Sequence, residues 1–270
     1  MLRWDPPLPS LTIRTTKVIT PVPSRTPADG GAALPFNPQV PALYRNRNTV
    51  TPLIRFNISS QVMVAGGVGI TELDPLDENP ITEEPLVDIG PSRMANVYIG
   101  LVNFNQPWRA GDTRHYLDAT FTARVSSESL ESDFDYERYL GFATYGIRRA
   151  RHRFWVTGMA GGIRGTAPLF ERFTLGDSRT LRGWNKYDIA PVGGDRMFHL
   201  SAQYEYRSLA LFLDSGSVWD AGTDGKFRVS AGVGFHPGPA FFYVGVPLNT
   251  DELRAVFTMG IGFPGVSFRR

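Results

Sequence analysis

The chain has 270 residues, with 28 Lys or Arg against 26 Asp or Glu, a formal charge of +2, and no cysteine. That balance lacks the basic field on which nucleic-acid binding depends, and the absent cysteines remove thiol catalysis, zinc-thiolate sites and disulfide staples while suiting an exported envelope protein. No run approaches the roughly 18 apolar residues of a spanning helix, and a mean hydropathy of −0.17 fits a soluble protein or a barrel with a polar lumen.

Residues 1–48 form a Pro-rich segment, with Pro6, Pro7, Pro9, Pro21, Pro23, Pro27, Pro35, Pro38 and Pro41 around Gly30-Gly31. This is loop composition with room for at most one strand, over Leu11 to Thr20. The start, Met1-Leu2-Arg3-Trp4-Asp5, has no basic and then apolar export signal. The chain therefore reads as a piece of a longer precursor.

From residue 49 to residue 270 the texture is that of a β-barrel domain, with period-two alternation broken by turn residues. Val50, Ile54, Phe56 and Ile58 share one face, and 61–72 follows at once. Further strands are expected over 95–105, 114–127, 136–149 and 152–163. In the second of these, His115, Leu117, Ala119, Phe121, Ala123 and Val125 oppose Arg114, Tyr116, Asp118, Thr120, Thr122 and Arg124. A long loop over about 164–195 interrupts the series. Five strands follow, over 197–207, 209–217, 227–236, 240–246 and 254–263. The first alternates Phe198, Leu200, Ala202, Tyr204 and Tyr206 with His199, Ser201, Gln203, Glu205 and Arg207.

Spanning strands run about 9 to 11 residues, whereas sandwich strands average nearer 5 or 6. Most segments here are long, with one face wholly apolar and aromatics at its end, as a membrane girdle requires. The expected fold is all-β, an antiparallel transmembrane β-barrel with a loop folded into its lumen. The acidic stretches, 72–84 and 128–135, read as solvated loops. Gly66-Gly67 and Gly161-Gly162 read as bends or bulges, since no helix follows to make a phosphate cradle.

The most informative stretch lies inside the long loop, where Phe173-Thr174-Leu175-Gly176 leads to a tip, Leu181-Arg182-Gly183-Trp184. Two strands later comes Phe212-Leu213-Asp214-Ser215-Gly216. Asp214 alternates against Leu211, Leu213 and Trp219, so it faces the lumen. A guanidinium brought into a narrow lumen needs a partner that accepts two parallel hydrogen bonds, and a carboxylate does so. Lysine at 182 would supply charge without the fork.

These motifs resemble the C-terminal barrel of the superfamily that includes BamA, TamA and the two-partner secretion transporters, the bacterial surface antigen family. The resemblance implies that the tip arginine, Arg182, pairs with Asp214 on the inner wall, with Gly183 and Gly216 allowing close approach. It also implies residence in the bacterial outer membrane, among its lipids. The implied role is insertion or translocation of proteins or lipids, acting on unfolded outer-membrane clients, without nucleotide hydrolysis, enzyme activity, cofactor or metal. Phe257, Met259, Ile261 and Phe263 correspond to the closing-strand signal.

Three departures accompany the resemblance, and the first is that family strands often end at a terminal aromatic, whereas Pro264 to Arg270 follow Phe263 here, with Phe268 as the alternative end. Six or seven strands precede the loop where a sixteen-stranded family barrel has eleven, so either a 12-stranded barrel or the C-terminal part of a larger one is expected. No family-type periplasmic module is legible upstream. A passive structural or diffusion barrel, or the membrane anchor of a longer enzyme, are the alternative functions. His199 and His236, with Ser201 and Ser230 on the same polar faces, read as a lumen network, since no spacing fixes a nucleophile, carboxylate or metal set.

Overall fold

The computed structural model describes residues 10–19, 44–75, 92–168, 171–176, 180–185, 189–190, 193–222, 225–237, 240–250 and 254–261. Twelve strands form one antiparallel sheet whose spatial order is the chain order. They are β1 (Ser10–Ile19), β2 (Tyr44–Asn57), β3 (Val62–Pro75), β4 (Ser92–Ala110), β5 (Thr113–Ser126), β6 (Asp135–Arg149) and β7 (His152–Thr166), then β8 (Arg196–Tyr206), β9 (Leu209–Trp219), β10 (Arg228–Phe235), β11 (Ala240–Pro247) and β12 (Val256–Ile261). Among the described residues no helix is long and apolar enough to cross a membrane, and no ladder joins β1 to β12.

Side-chain burial inverts the order of a soluble protein. Along β9, Leu209, Leu211 and Leu213 are 62%, 57% and 50% exposed, while Asp214 beside them is fully buried. On β8, Phe198, Leu200, Tyr204 and Tyr206 are exposed and His199, Ser201, Gln203 and Glu205 are buried. Water would not tolerate the first face, and hydrocarbon would not tolerate the second. The sheet therefore presents its apolar face to lipid and encloses its polar face, as a transmembrane barrel wall does.

The enclosed side is occupied by the segment between β7 and β8. Its residues 171–176 and 180–184 touch side chains or backbone on every strand from β5 to β11, which is possible only if the sheet curls round them. Tyr136, Ile163, Phe173, Leu175, Leu181, Trp184, Met197 and Val218 form the buried apolar cluster there.

Connections alternate in length. Two-residue turns join β4 to β5, β6 to β7 and β8 to β9, and their first residues, Gly111, Ala150 and Arg207, have φ of 60°, 52° and 56°. Such left-handed positions match the twist of two-residue hairpins. Long connections, including 127–134 and 167–195, leave the strands at the other end. In bacterial barrels the short turns face the periplasm.

Strand limits differ from expectation where ladders outrun the hydrophobic pattern. β4 continues through Pro107, opposite Tyr116, down to the turn at Gly111-Asp112. β7 runs on to Thr166, opposite Asp135. β2 starts at Tyr44, and β1, inside the Pro-rich segment, is laddered to it over Ser10–Ile19. β12 is shorter than 254–263, and Phe263 lies outside the described residues. The pairing of β3 with β4 shifts register between Met63 and Gly67, but the extra residue lies on β4, between Ile99 and Val102, while Gly66 and Gly67 keep regular register with β2.

Candidate functional site

The loop tip sits against the inner wall of β8 to β11. Arg182 is 6% exposed and Asp214 fully buried. The guanidinium donates from Nε to Asp214 Oδ2 at 2.8 Å and from Nη2 to Oδ1 at 2.8 Å, a bidentate fork. The Arg182 backbone N–H adds a third bond to Oδ2 at 3.0 Å, and Ser201 Oγ donates a fourth to Oδ1 at 2.6 Å. A carboxylate with four donors is satisfied as an anion without water.

Two more of the guanidinium hydrogens are also used. Nη1 donates to Gln203 Oε1, and Nη2 to Ser201 Oγ at 3.1 Å. Gln203 is turned the right way because its Nε2 donates to Glu205 Oε1 at 2.8 Å. The Phe212 and Tyr243 rings lie 3.7 Å and 4.9 Å from the guanidinium carbon. Their faces attract the cation while excluding solvent from it.

The tip backbone is held as tightly. Ser230 Oγ donates to the Arg182 carbonyl. Gly183 has φ of 96°, a left-handed conformation, and packs on the β11 backbone where a Cβ would stand 3.1 Å from Gly245 C. Trp184 donates its indole N–H to the Val229 carbonyl at 3.3 Å, and Leu181 is fully buried. Gly216 leaves the space that Leu175 fills, since a Cβ there would meet Leu175 Cδ1 at 2.9 Å.

A second attachment, without a sequence motif, fixes the root of the loop. Glu171 accepts two bonds from Arg124 Nη1 on β5, at 2.8 and 2.9 Å. Its backbone carbonyl accepts from Arg138 Nε on β6 at 2.8 Å. The Arg138 guanidinium lies 4.5 Å from the Phe173 ring centre. Phe173 in turn lies over Gly161, where a Cβ would meet its ring at 2.5 Å. Gly161 thus serves as the seat of the loop rather than as a bend.

The structure brings Leu181, Arg182, Gly183, Trp184, Asp214 and Gly216 into one region, with Ser201 and Ser230 among them. It separates the histidines. His199 stands opposite Gly216, which stands opposite Arg228 at the start of β10, whereas His236 follows the end of β10. The two are about 25 Å apart at strand rise. His236 Nδ1 faces Glu205 Oε1 at 3.5 Å. Phe257 and Met259 project from β12, 69% and 58% exposed, and Ile261 pairs with Ala240. Among the described residues no group of three His, Asp or Glu is placed to hold a metal ion.

A curled antiparallel sheet with an apolar outer face and an ion-paired loop in its lumen defines the class, a transmembrane β-barrel of the bacterial outer membrane. The Omp85 superfamily domain matches residues 113–262, more than half of the chain, and the chain belongs to that superfamily. Among solved structures it is similar to BamA from Haemophilus ducreyi lacking POTRA domains 1-3, at 15% identity and a TM-score of 0.61. That likeness covers 80% of this chain and 54% of the other, so the chain spans about half the length of that structure. No curated protein matches. The superfamily is one of outer-membrane assembly and translocation proteins.

Proposed function

We propose that this barrel inserts polypeptides into the outer membrane or moves them across it, with the Arg182 tip as the brace that keeps the wall in working shape. The observation that supports this reading is the grip on Arg182, in which Asp214, Ser201 and Gln203 engage every guanidinium nitrogen in a site closed to solvent. Such a grip fixes the loop tip against the lumen wall. The packed Leu175 and Leu181 beside it fill space that a diffusion pore keeps open. A β-edge at β1 or β12 offers backbone hydrogen bonds to a client strand. Lipid is the second class of cargo that the family admits.

The test is a client-folding assay. The purified barrel is refolded into phospholipid vesicles, an unfolded outer-membrane protein is added, and its folding is followed by heat-modifiable gel mobility. Wild-type barrel should speed client folding several-fold over empty vesicles, and Arg182→Ala should lose that gain. Equal rates with and without the barrel would remove the assembly reading.

A further inference from the structure

The strand register aligns four arginines side by side across the short-turn end of the barrel. Arg109 stands opposite Arg114, Arg114 opposite Arg148, and Arg148 opposite Arg153. The row ends at Arg153 opposite Glu205. Like charges directly opposite one another destabilise a sheet, so four in succession call for an anion. At one end the chain supplies it, since Arg153 Nη2 lies 3.3 Å from Glu205 Oε2. Among the described residues no carboxylate pairs with Arg109, Arg114 or Arg148, and all three are exposed.

Parity gives the direction of the row. Arg114 alternates with His115 and has the parity of Arg124, while Arg148 has that of Arg138, and both of those reach the loop inside the lumen. The membrane side of the same level carries the stacked Trp108, His115 and Tyr145 rings. A lipid headgroup in its leaflet meets those rings and not the arginine row. The row spans four strands, about 14 Å at the strand spacing, which is too long for one small anion and suits a chain bearing several carboxylates.

We infer that the lumen-facing row of Arg109, Arg114 and Arg148 is a docking site for an acidic polypeptide segment entering the barrel from its short-turn end. Carboxylates of the incoming segment take the places along the row that Glu205 takes at its end. The inference rests on the proposed handling of polypeptides by this barrel and names the chemistry of the segment that it receives.

The experiment uses the full chain folded in neutral detergent and a fluorescent peptide of alternating glutamate and serine, followed by anisotropy. Wild type should bind, and more weakly as salt is raised. Arg114→Gln with Arg148→Gln should lose about tenfold in affinity, with its heat-modifiable band intact because repulsion has been relieved. Arg149→Gln with Arg151→Gln, outside the row, should bind as wild type does. Equal affinity in the inner-row variant overturns the inference, as does no binding by wild type. Displacement of the peptide by phosphatidylglycerol vesicles through the same arginines assigns the row to lipid and also overturns it. A wild-type barrel that binds the peptide without speeding client folding strikes the assembly reading alone, and one that speeds client folding without binding the peptide strikes the row alone.

Discussion

Gly183 and Gly245 meet backbone to backbone, so closely that a Cβ on Gly245 would stand 2.6 Å from the Gly183 nitrogen. The tip of the loop and the wall of β11 are thus fitted by the absence of two side chains. Gly245→Ala must lift the tip from its seat, whereas Gly158→Ala, with nothing within 4 Å, must not. Limited proteolysis should cut the loop faster in the first variant than in wild type, and no faster in the second.

The ion pair at the tip makes a quantitative prediction. Removing one partner of a buried pair leaves an unpaired charge, at a cost of about 3 to 5 kcal/mol. Asp214→Ala and Arg182→Ala should each lose stability on that scale in urea unfolding followed by tryptophan fluorescence. The double variant should lose less than the sum of the two. Arg182→Lys keeps the charge but cannot make the fork to both carboxylate oxygens, so it should fall between wild type and Arg182→Ala. Additive losses in the double variant would contradict the geometry.

At the other end of the loop, Glu171→Gln removes the charge that Arg124 and Arg138 share. Hydrogen bonds to a charged group contribute about 1.5 to 3 kcal/mol, and Arg124, being 29% exposed, falls at the lower part of that range. Hydrogen exchange should rise around residues 171–176 while the tip at Arg182 stays protected. Uniform exchange across both regions would mean that the two attachments act as one.

The lipid face gives a prediction of opposite sign to intuition for a soluble protein. Leu213 is 50% exposed and its neighbour Asp214 is buried. Leu213→Arg places a charge in hydrocarbon, costing about 2 to 4 kcal/mol near the bilayer midplane. Folding into vesicles should fall in yield for this variant and not for Leu213→Phe. An unchanged yield for the arginine variant would place this face outside the bilayer.

Alternation alone discloses which face each strand residue takes, so the outward Leu211 and Leu213 and the inward Asp214 are legible in the amino-acid sequence. The tip motif is legible as well, because its residues are contiguous. Height along the wall is not, since parity assigns His199 and His236 to one side without saying that they stand at opposite ends of it. That requires register, which turn lengths and bulges set. Glu171 with Arg124 and Arg138 escapes for a related reason, as the three come from a loop and two strands with no motif to link them. Gln203 shares the parity of Glu205 and Ser201 and could have been placed at the tip once Asp214 was taken as its wall partner. Gly245 as the seat of Gly183 has no such signal, because the two meet only when the loop is folded inward.

The two attachments lie on widely separated parts of the wall, Glu171 on β5 and β6 and Arg182 from β8 to β11. The segment between them is a tie beam under a vault. Fixed at both ends, it ties strands β5 and β6 to strands β8 to β11 across the enclosed side, a cross-link that their ladders alone do not provide.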